Sequence, residues 1–89
     1  MKFEDALDCL RKERRLTRIS WNGPGQYVYL VGPGRYPPST PAGREIAALA
    51  GDGLVSYRPY FALHTVQKDV VPWQPTQSDL LAEDWDIVG

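Results

Sequence analysis

The chain lacks the crosslinks that stabilise many small proteins. Its 89 residues include one cysteine, Cys9, so no disulfide can form within the chain, as expected of a protein that works in a reducing cytoplasm. No residues are grouped like the ligands of a metal site. Because a chain this short builds only a thin core, the remaining source of stability is burial against further copies of itself. We therefore expect an oligomer.

An excess of one charge and a long apolar run are also missing. Ten basic and eleven acidic side chains leave a net charge of -1, which argues against binding DNA or RNA by neutralising many phosphates. The longest apolar run, Tyr27–Val31, is far shorter than the roughly 18 residues that a membrane span needs, and no signal sequence is visible. We expect a soluble cytoplasmic protein. A small anionic ligand is compatible with this charge balance, because two or three hydrogen-bond donors can hold it.

Residues typical of catalysis do not occur in a usable arrangement. His64, the one histidine, lies in an alternating stretch, where it faces either the strand surface or the core. Cys9 falls within an amphipathic helix without a neighbouring base, which indicates packing. The acidic residues Glu83, Asp84 and Asp86 lie near the end of the chain, where solvent usually surrounds such groups. We predict a protein that is not an enzyme, with no catalytic residue, no metal and no cofactor.

What is present is the composition of a folded domain, with 43% hydrophobic and 11% aromatic residues. Phe3–Arg15 has apolar residues at helical spacing, and the basic run Arg11–Arg18 is interpreted mostly as the solvated face of that helix. Leu16–Ser20 and Gln26–Val31 alternate as strands do. The two strands are expected to pair around the bend Trp21–Gly25, which serves either to turn the chain or to form the wall of a site.

The middle of the chain alternates between turn residues and short apolar segments. Gly32–Gly43 is so rich in proline and glycine that regular structure is not expected there. A helix should follow the N-cap Thr40, with Pro41 as its first residue, and should stop near Gly51. Each of these predictions rests on a few neighbouring residues.

The last third of the chain predicts further strands. Val55–Thr65 contains Pro59 and Val70–Gln74 contains a proline too, so both are expected at an edge or, for the first, a bulge. Ser78 and Asp79 can cap a single turn through Ala82, and Trp85–Val88 is predicted as a closing strand. The sum is an α+β domain, an N-terminal helix with a small, bent, antiparallel β-sheet.

Aromatic, amide and basic residues beside turns are the strongest functional signal. They are Trp21 with Asn22, Tyr57 with Arg58, Trp73, and the polar run Thr76–Asp79. Such residues suit a nucleotide site, because aromatic faces stack bases at about 1 to 3 kcal/mol, amides bind base edges and arginine pairs with phosphate. Trp85 is expected in the core, whereas for Trp21 and Trp73 binding and packing remain equally open. Gly32–Arg35 is a weak phosphate signal, because its proline removes an amide donor.

Motifs at both ends of the chain resemble one family. FEDALDCLRKERRLTRISWNGPGQYVYL, which starts at Phe3, resembles the opening of the Thoeris anti-defence protein 2 family, with a short helix, Thr-Arg and then Trp-Asn-Gly before a strand. VVPWQPTQSDLLAEDWDIV, which starts at Val70, is similar to the family's ending, and YRPY at Tyr57–Tyr60 lies between them. The resemblance covers the chain except Gly32–Gly53, and it implies one Thoeris anti-defence 2-like domain over residues 1–89.

The resemblance implies a phage or prophage protein that acts as a sponge in an infected bacterium. Such proteins bind and hold cyclic nucleotide signals, notably glycocyclic ADP-ribose made by TIR-domain defence proteins, without cleaving them. Some members also hold cyclic di- or trinucleotides at a second place. The family forms homotetramers with ligand pockets between protomers. By its motifs, one wall of the pocket is formed by Trp21, Asn22 and Gly23, and polar contacts come from Gln77, Ser78 and Asp79.

The remaining site predictions combine the resemblance with charge and position. Arg58 is predicted to bind phosphate, and Trp73 joins the ligand-binding set. Arg35 and Tyr36 lie in the segment that departs from the family, and they are predicted to border a different or additional nucleotide pocket. The alternative function is a protein-protein interaction module with an exposed aromatic surface. A nucleotide hydrolase is disfavoured, because no base and nucleophile pair is present.

Overall fold

Three helices and seven strands make up the structure, a computed structural model that describes residues 1–89. The helices are α1 Phe3–Arg11, α2 Pro41–Ala50 and α3 Gln77–Leu81. The strands are β1 Arg15–Arg18, β2 Tyr27–Val31, β3 Gly34–Tyr36, β4 Val55–Tyr57, β5 Tyr60–His64, β6 Val70–Pro72 and β7 Trp85–Val88. Five strands form an antiparallel sheet in the order β6-β5-β2-β1-β7, and β3 pairs with β4 in a second sheet. The predicted α+β class, with its N-terminal helix and antiparallel sheet, is confirmed.

The first helix is shorter than the sequence predicts. Instead of running to Arg15, α1 ends at Arg11, because Glu13 takes a left-handed conformation with φ of 63° and the chain reverses there. Arg15 begins β1, in which Leu16 is completely buried. β1 pairs with β2 around the bend as predicted, with Leu16 opposite Val28. The basic run is therefore divided between a helix end, a reversal and a strand, and does not form one helix face.

The core lies between α1 and one face of the five-stranded sheet. Its six buried residues are Ala6, Leu10, Leu16, Val28, Trp73 and Trp85. Trp85 is 1% exposed, which confirms its predicted place, and Cys9 packs against this core, as predicted. Alternation along β2 sends Tyr27, Tyr29 and Val31 to the opposite face of the sheet.

The segment Gly32–Gly43 contains β3, although regular structure was not expected there. Pro33 and Pro37 flank β3 and limit it to three residues, because a proline nitrogen has no hydrogen to donate to a sheet. β3 pairs with β4, and α2 packs against β4. We call β3, α2 and β4 together the side unit, since they lie beside the main sheet and outside its core.

The predicted helix after Thr40 is confirmed as α2. Thr40 Oγ1 accepts a hydrogen bond from Gly43 N at 2.9 Å, and Pro41 is the first helical residue. Gly51 follows the helix with φ of 85°, a left-handed conformation that glycine adopts without strain.

The stretch Val55–Thr65 is divided between the two sheets. β4 ends at Tyr57 and β5 begins at Tyr60, so Arg58 and Pro59 form the break between them. β5 lies between β2 and β6, which corrects the prediction of an edge or a bulge. Pro59 interrupts the chain between two strands and therefore costs neither sheet a hydrogen bond. β6 does lie at an edge, as predicted.

The cap of α3 is Thr76, and not the predicted Ser78 or Asp79. Thr76 Oγ1 accepts from Asp79 N at 3.1 Å, and Asp79 Oδ2 accepts from Thr76 N at 2.9 Å, which closes a capping box. Ser78 and Asp79 consequently lie within the first turn. The predicted closing strand is β7. None of the helices has the length and apolar character needed to cross a membrane.

Candidate functional site

The bend Trp21–Gly25 presents a tryptophan that its own chain covers in part. The Trp21 ring meets the Trp85 ring edge-on, with centroids 5.4 Å apart and planes at 77°. Its backbone N–H donates to Arg18 O at 3.1 Å, and the adjacent Asn22 is exposed. Trp21 is therefore fixed against the core on one side, while part of it remains accessible.

Gly23 has no room for a side chain. A Cβ placed there would collide with Val66 Cγ1 and would lie 2.7 Å from Gln26 Oε1. Gln26 N also donates to Gly23 O at 3.1 Å, and Gly25 has φ of 79°, a conformation that favours glycine. Close packing and backbone geometry thus fix the shape of the bend.

The predicted polar contacts form the first turn of α3. Gln77 and Ser78 are exposed, and Gln77 lines a shallow groove of about 240 Å³ with Leu80 and Leu81. Asp79 is 7% exposed, and each of its carboxylate oxygens accepts a hydrogen bond from its own chain. Asp79 therefore holds α3 in place, whereas Gln77 and Ser78 are free to contact a ligand.

Arg18 connects the bend to α3 and to the residue before β7. Its Nη1 donates to Asp79 Oδ1 and its Nε donates to Asp84 Oδ1, both at 2.9 Å. Asp84 Oδ2 accepts from Ser20 N at 3.0 Å, at the start of the bend. The Trp85 indole N–H donates to Asp79 O at 2.9 Å, which attaches α3 to the core. We call Arg18, Asp79 and Asp84 the clamp, because they join the two predicted halves of the site.

The clamp keeps its carboxylates ionised. Hydrogen bonds from Ser20 and then from Arg18 hold the pKa of Asp84 well below its ordinary value. Burial by itself would raise the pKa of Asp79, but hydrogen bonds from Thr76 and Arg18 outweigh burial and lower that pKa. Hydrogen bonds to Asp84 and Asp79 raise the pKa of Arg18 in turn.

Acid is expected to release the clamp and destabilise the domain. Folding lowers the pKa values of Asp79 and Asp84, so their contribution is complete above the unfolded-state value of about 3.9 and is lost as the pH falls through the folded-state values. The wild-type melting temperature should therefore drop below about pH 4. Asp84→Asn should melt lower at neutral pH and lose less in acid, which thermal melts across the pH range can measure. Equal acid sensitivity of the two proteins would contradict this role of Asp84.

Trp73, for which the sequence leaves binding and packing open, is packed within its own chain. It is 9% exposed and its ring lies 5.8 Å from the Trp85 ring, with Phe3 and Phe61 at 6.3 Å. Trp73 is therefore a core residue of the chain, next to the tryptophan that supports Trp21.

Arg58 is exposed in the break between β4 and β5. In the register of β2 and β5, Val31 pairs with Tyr60, close to Arg58, whereas the bend adjoins the opposite end of β2. The fold of the chain therefore does not bring Arg58 to Trp21.

A groove of about 320 Å³ lies at this end of β2, and Tyr36 is among its lining residues. Tyr57 and Tyr60 also line it, and the three tyrosines are 48% to 56% exposed. Arg35, predicted to border a pocket with Tyr36, instead pairs with Asp52, just after α2. We call this feature the tyrosine groove.

Two residues of the clamp were missed as site residues by the sequence reasoning. The sequence interpretation places Arg18 on a solvated helix face and Asp84 in a solvated tail, yet their side chains are 17% and 29% exposed and bind each other. Alternation was the available signal for Arg18, because it follows Leu16 by two positions and so faces the same side of β1. No signal marks Asp84, whose partner lies far away in sequence.

A second aromatic surface adjoins the bend on the opposite face of the sheet. His64, left open between surface and core, stacks on Tyr27 with ring centroids 4.7 Å apart, and its Nδ1 lies 3.2 Å from Gly25 O. The Arg15 guanidinium carbon lies 5.2 Å from the Tyr27 ring centroid. This cross-strand arrangement depends on the register of β2 and β5, which the sequence alone does not specify.

The chain is a small α+β domain in which the clamp joins the bend that carries Trp21 to the first turn of α3. Over nearly its whole length it matches a known class of proteins. A profile of the Thoeris anti-defense 2-like domain matches residues 1–88. The protein named Thoeris anti-defense 2, from Bacillus phage SP01, is 31% identical over an alignment of 95 positions. The alignment covers 100% of this chain and 96% of that relative. The chain therefore belongs to the Thoeris anti-defense 2-like family, and the resemblance at its two ends is confirmed.

Proposed function

We propose that the protein is a phage-derived sponge that binds cyclic nucleotide immune signals, glycocyclic ADP-ribose first among them, and holds them uncleaved in the host cytoplasm. Membership of an anti-defence family supports the role. The proposed binding mode rests on the position of Trp21. Its indole is partly accessible and is supported by Trp85, so it offers a rigid face on which a nucleobase can stack.

The proposed pocket lies between the bend and the first turn of α3. Trp21 stacks the base and the exposed Asn22 amide binds its edge, while Gly23 lets Val66 and Gln26 pack against the bend and so keeps its shape. Gln77 and Ser78 supply hydrogen bonds from the other side. These groups bind by stacking and hydrogen bonding alone, so the ligand is stored without a covalent change.

We propose a homotetramer, with each pocket completed by a neighbouring protomer. In one protomer 11 of 89 residues are buried, while Leu49 and Ile19 are 90% and 73% exposed. Contacts between copies would cover such apolar side chains and supplement the small core. Measurement of the mass in solution by light scattering tests the assembly.

The three remaining predicted residues have different places in this proposal. Trp73 and Asp79 are covered by their own chain, so they support the pocket from within, through Trp85 and through the clamp. Arg58, which one protomer holds away from Trp21, would reach the ligand phosphate of a neighbouring protomer's pocket.

We also propose the tyrosine groove as a second place for a cyclic nucleotide. Its volume of about 320 Å³ and its aromatic lining suit a base, and Tyr36 would stack it. Arg35, one residue away, is paired with Asp52 and would have to leave that carboxylate to bind a ligand phosphate.

Recovery of intact ligand tests the sponge directly. The protein is loaded with glycocyclic ADP-ribose, freed of unbound ligand and denatured by heat, and the supernatant is analysed by mass spectrometry. The expected product is the unchanged cyclic nucleotide, at a stoichiometry that also shows whether a second site is filled. Release of a linear or hydrolysed product would reject the sponge in favour of an enzyme.

A protein-protein interaction module is the second candidate function. The half-exposed Tyr36, Tyr57 and Tyr60 favour it, because aromatic residues are enriched at protein interfaces. Calorimetric titration with a panel of cyclic nucleotides separates the two functions. If no cyclic nucleotide binds, the aromatic surface is better explained as a protein interface.

A further inference from the structure

We infer that Arg18 is the positioning residue of the pocket: it sets the distance between the Trp21 wall and the Gln77–Ser78 contacts without touching the ligand. The inference rests on the proposed function. It assigns to Arg18 a role beyond the inward orientation that alternation along β1 indicates, and the two hydrogen bonds that Arg18 donates within the clamp carry it.

A guanidinium suits this position because it holds two partners at fixed angles. Nε and Nη1 of Arg18 donate to two different carboxylates, Asp84 and Asp79, at the same distance of 2.9 Å. The planar fork of arginine fixes the angle between such bonds, whereas the ammonium of lysine is a single point charge on a flexible chain. A lysine could therefore keep the charge and lose the geometry.

Each carboxylate passes the constraint on to one half of the pocket. The second oxygen of Asp84 accepts from Ser20 N at 3.0 Å, directly before Trp21. The second oxygen of Asp79 accepts from Thr76 N at 2.9 Å, directly before Gln77. One side chain thus fixes the backbone immediately ahead of both groups of ligand contacts.

The clamp affects the geometry of the pocket as well as the stability of the domain. The side chains of Arg18, Asp79 and Asp84 are 17%, 9% and 29% exposed, and the Trp85 core lies beneath them. Asp84 is the most exposed of the three, so solvent screens its ion pair with Arg18 more than the pair between Arg18 and Asp79. Residues that orient a binding group typically change affinity about 10- to 100-fold when they are replaced, as residues that hydrogen-bond to the ligands of a metal site do.

The test compares Arg18→Lys with a matched change at a different ion pair. Lys2 pairs with Glu83 at 3.8 Å, both side chains are exposed, and Lys2 is outside the clamp, so Lys2→Gln is the control. Each full-length protein is titrated with glycocyclic ADP-ribose by calorimetry well below its melting temperature, after circular dichroism has shown that it is folded. Arg18→Lys is expected to bind about tenfold more weakly, and Lys2→Gln is expected to bind as the wild type does.

A second readout separates positioning from a general loss of structure. In NMR spectra of the unliganded proteins, Arg18→Lys is expected to shift the Trp21 indole signal and the Gln77 and Ser78 amide signals, while the backbone amide of Ala62, buried in β5, stays in place. If Arg18→Lys does not fold, Asp84→Asn removes one arm of the clamp and is measured in the same way. In a double-mutant cycle, Arg18→Lys with Asp84→Asn should bind no more weakly than Arg18→Lys alone.

The possible results are distinct. Wild-type affinity in a folded Arg18→Lys, or in Asp84→Asn where that variant takes its place, overturns the inference and leaves the sponge standing. Additive losses in the cycle also overturn it, because the two residues would then act separately. Failure of the wild type to bind any cyclic nucleotide overturns the proposed function and the inference with it.

Discussion

Replacing Trp85 with alanine is expected to lower the melting temperature by more than about 10 °C. Trp85 is 1% exposed and its ring meets those of Phe3, Trp21 and Trp73 at 5.4 to 5.8 Å. Removing a buried tryptophan costs about 3 to 5 kcal/mol. A domain of this length has a total stability of roughly 4 to 13 kcal/mol, so a large share would be lost. Thermal melts followed by circular dichroism measure the change.

Two further variants show which property of Trp85 matters. Trp85→Phe keeps an aromatic ring but leaves Asp79 O without the indole N–H that now donates at 2.9 Å, so its melting temperature should lie between those of the alanine variant and the wild type. Glu45→Ala, at an exposed position of α2, should change stability by less than about 0.5 kcal/mol. If Trp85→Ala melts close to Glu45→Ala, the core is held together by other contacts.

Replacing Trp21 with alanine is expected to weaken the binding of glycocyclic ADP-ribose by about 5- to 150-fold. The expected loss is that of one base-stacking contact, about 1 to 3 kcal/mol. The variant also loses the contact with Trp85, whose ring centroid lies 5.4 Å away, and should melt at a lower temperature. Calorimetric titration well below that temperature keeps affinity separate from folding.

Trp21→Phe is the matched variant for the stacking contact. It keeps a flat ring in the same place and should lose less affinity than Trp21→Ala, while Glu45→Ala should bind like the wild type. Wild-type affinity in Trp21→Ala would show that the accessible part of Trp21 does not contact the ligand. The pocket would then have to be sought at the tyrosine groove.

The elements that the sequence predicts correctly carry their signals within a few residues. α2 is defined by Thr40, Pro41 and Gly51, and the strands β2 and β7 by alternation next to turns. β3 was missed because its pairing partner, β4, lies on the far side of α2, and nothing within Gly34–Tyr36 marks a strand. The end of α1 was misplaced because the chain reverses at Glu13, a residue type that rarely takes a left-handed conformation.

For the site, too, the sequence alone does not show which residues are buried and which are accessible. Trp21 and Trp73 each stand beside turn residues or a proline, and the sequence treats them alike. Only the tertiary structure separates them, because Phe3 and Phe61 pack against the buried Trp73, whereas Trp21 contacts Trp85 and stays partly accessible. Arg18 was missed for a similar reason, because the composition of a run of basic residues does not show which of them faces inward. The local sequence therefore indicates which residue types can form a site. Long-range contacts decide which tryptophan or arginine of the chain is placed there.

The side unit can vary in sequence without changing the rest of the fold. β3 pairs with β4 alone and α2 packs on β4, so Gly32–Gly53 can lengthen, shorten or alter its composition without disturbing the tryptophan core. The same segment supplies Tyr36 to the tyrosine groove. Residue changes in this segment would therefore alter the tyrosine groove and leave the residues packed around Trp85 in place.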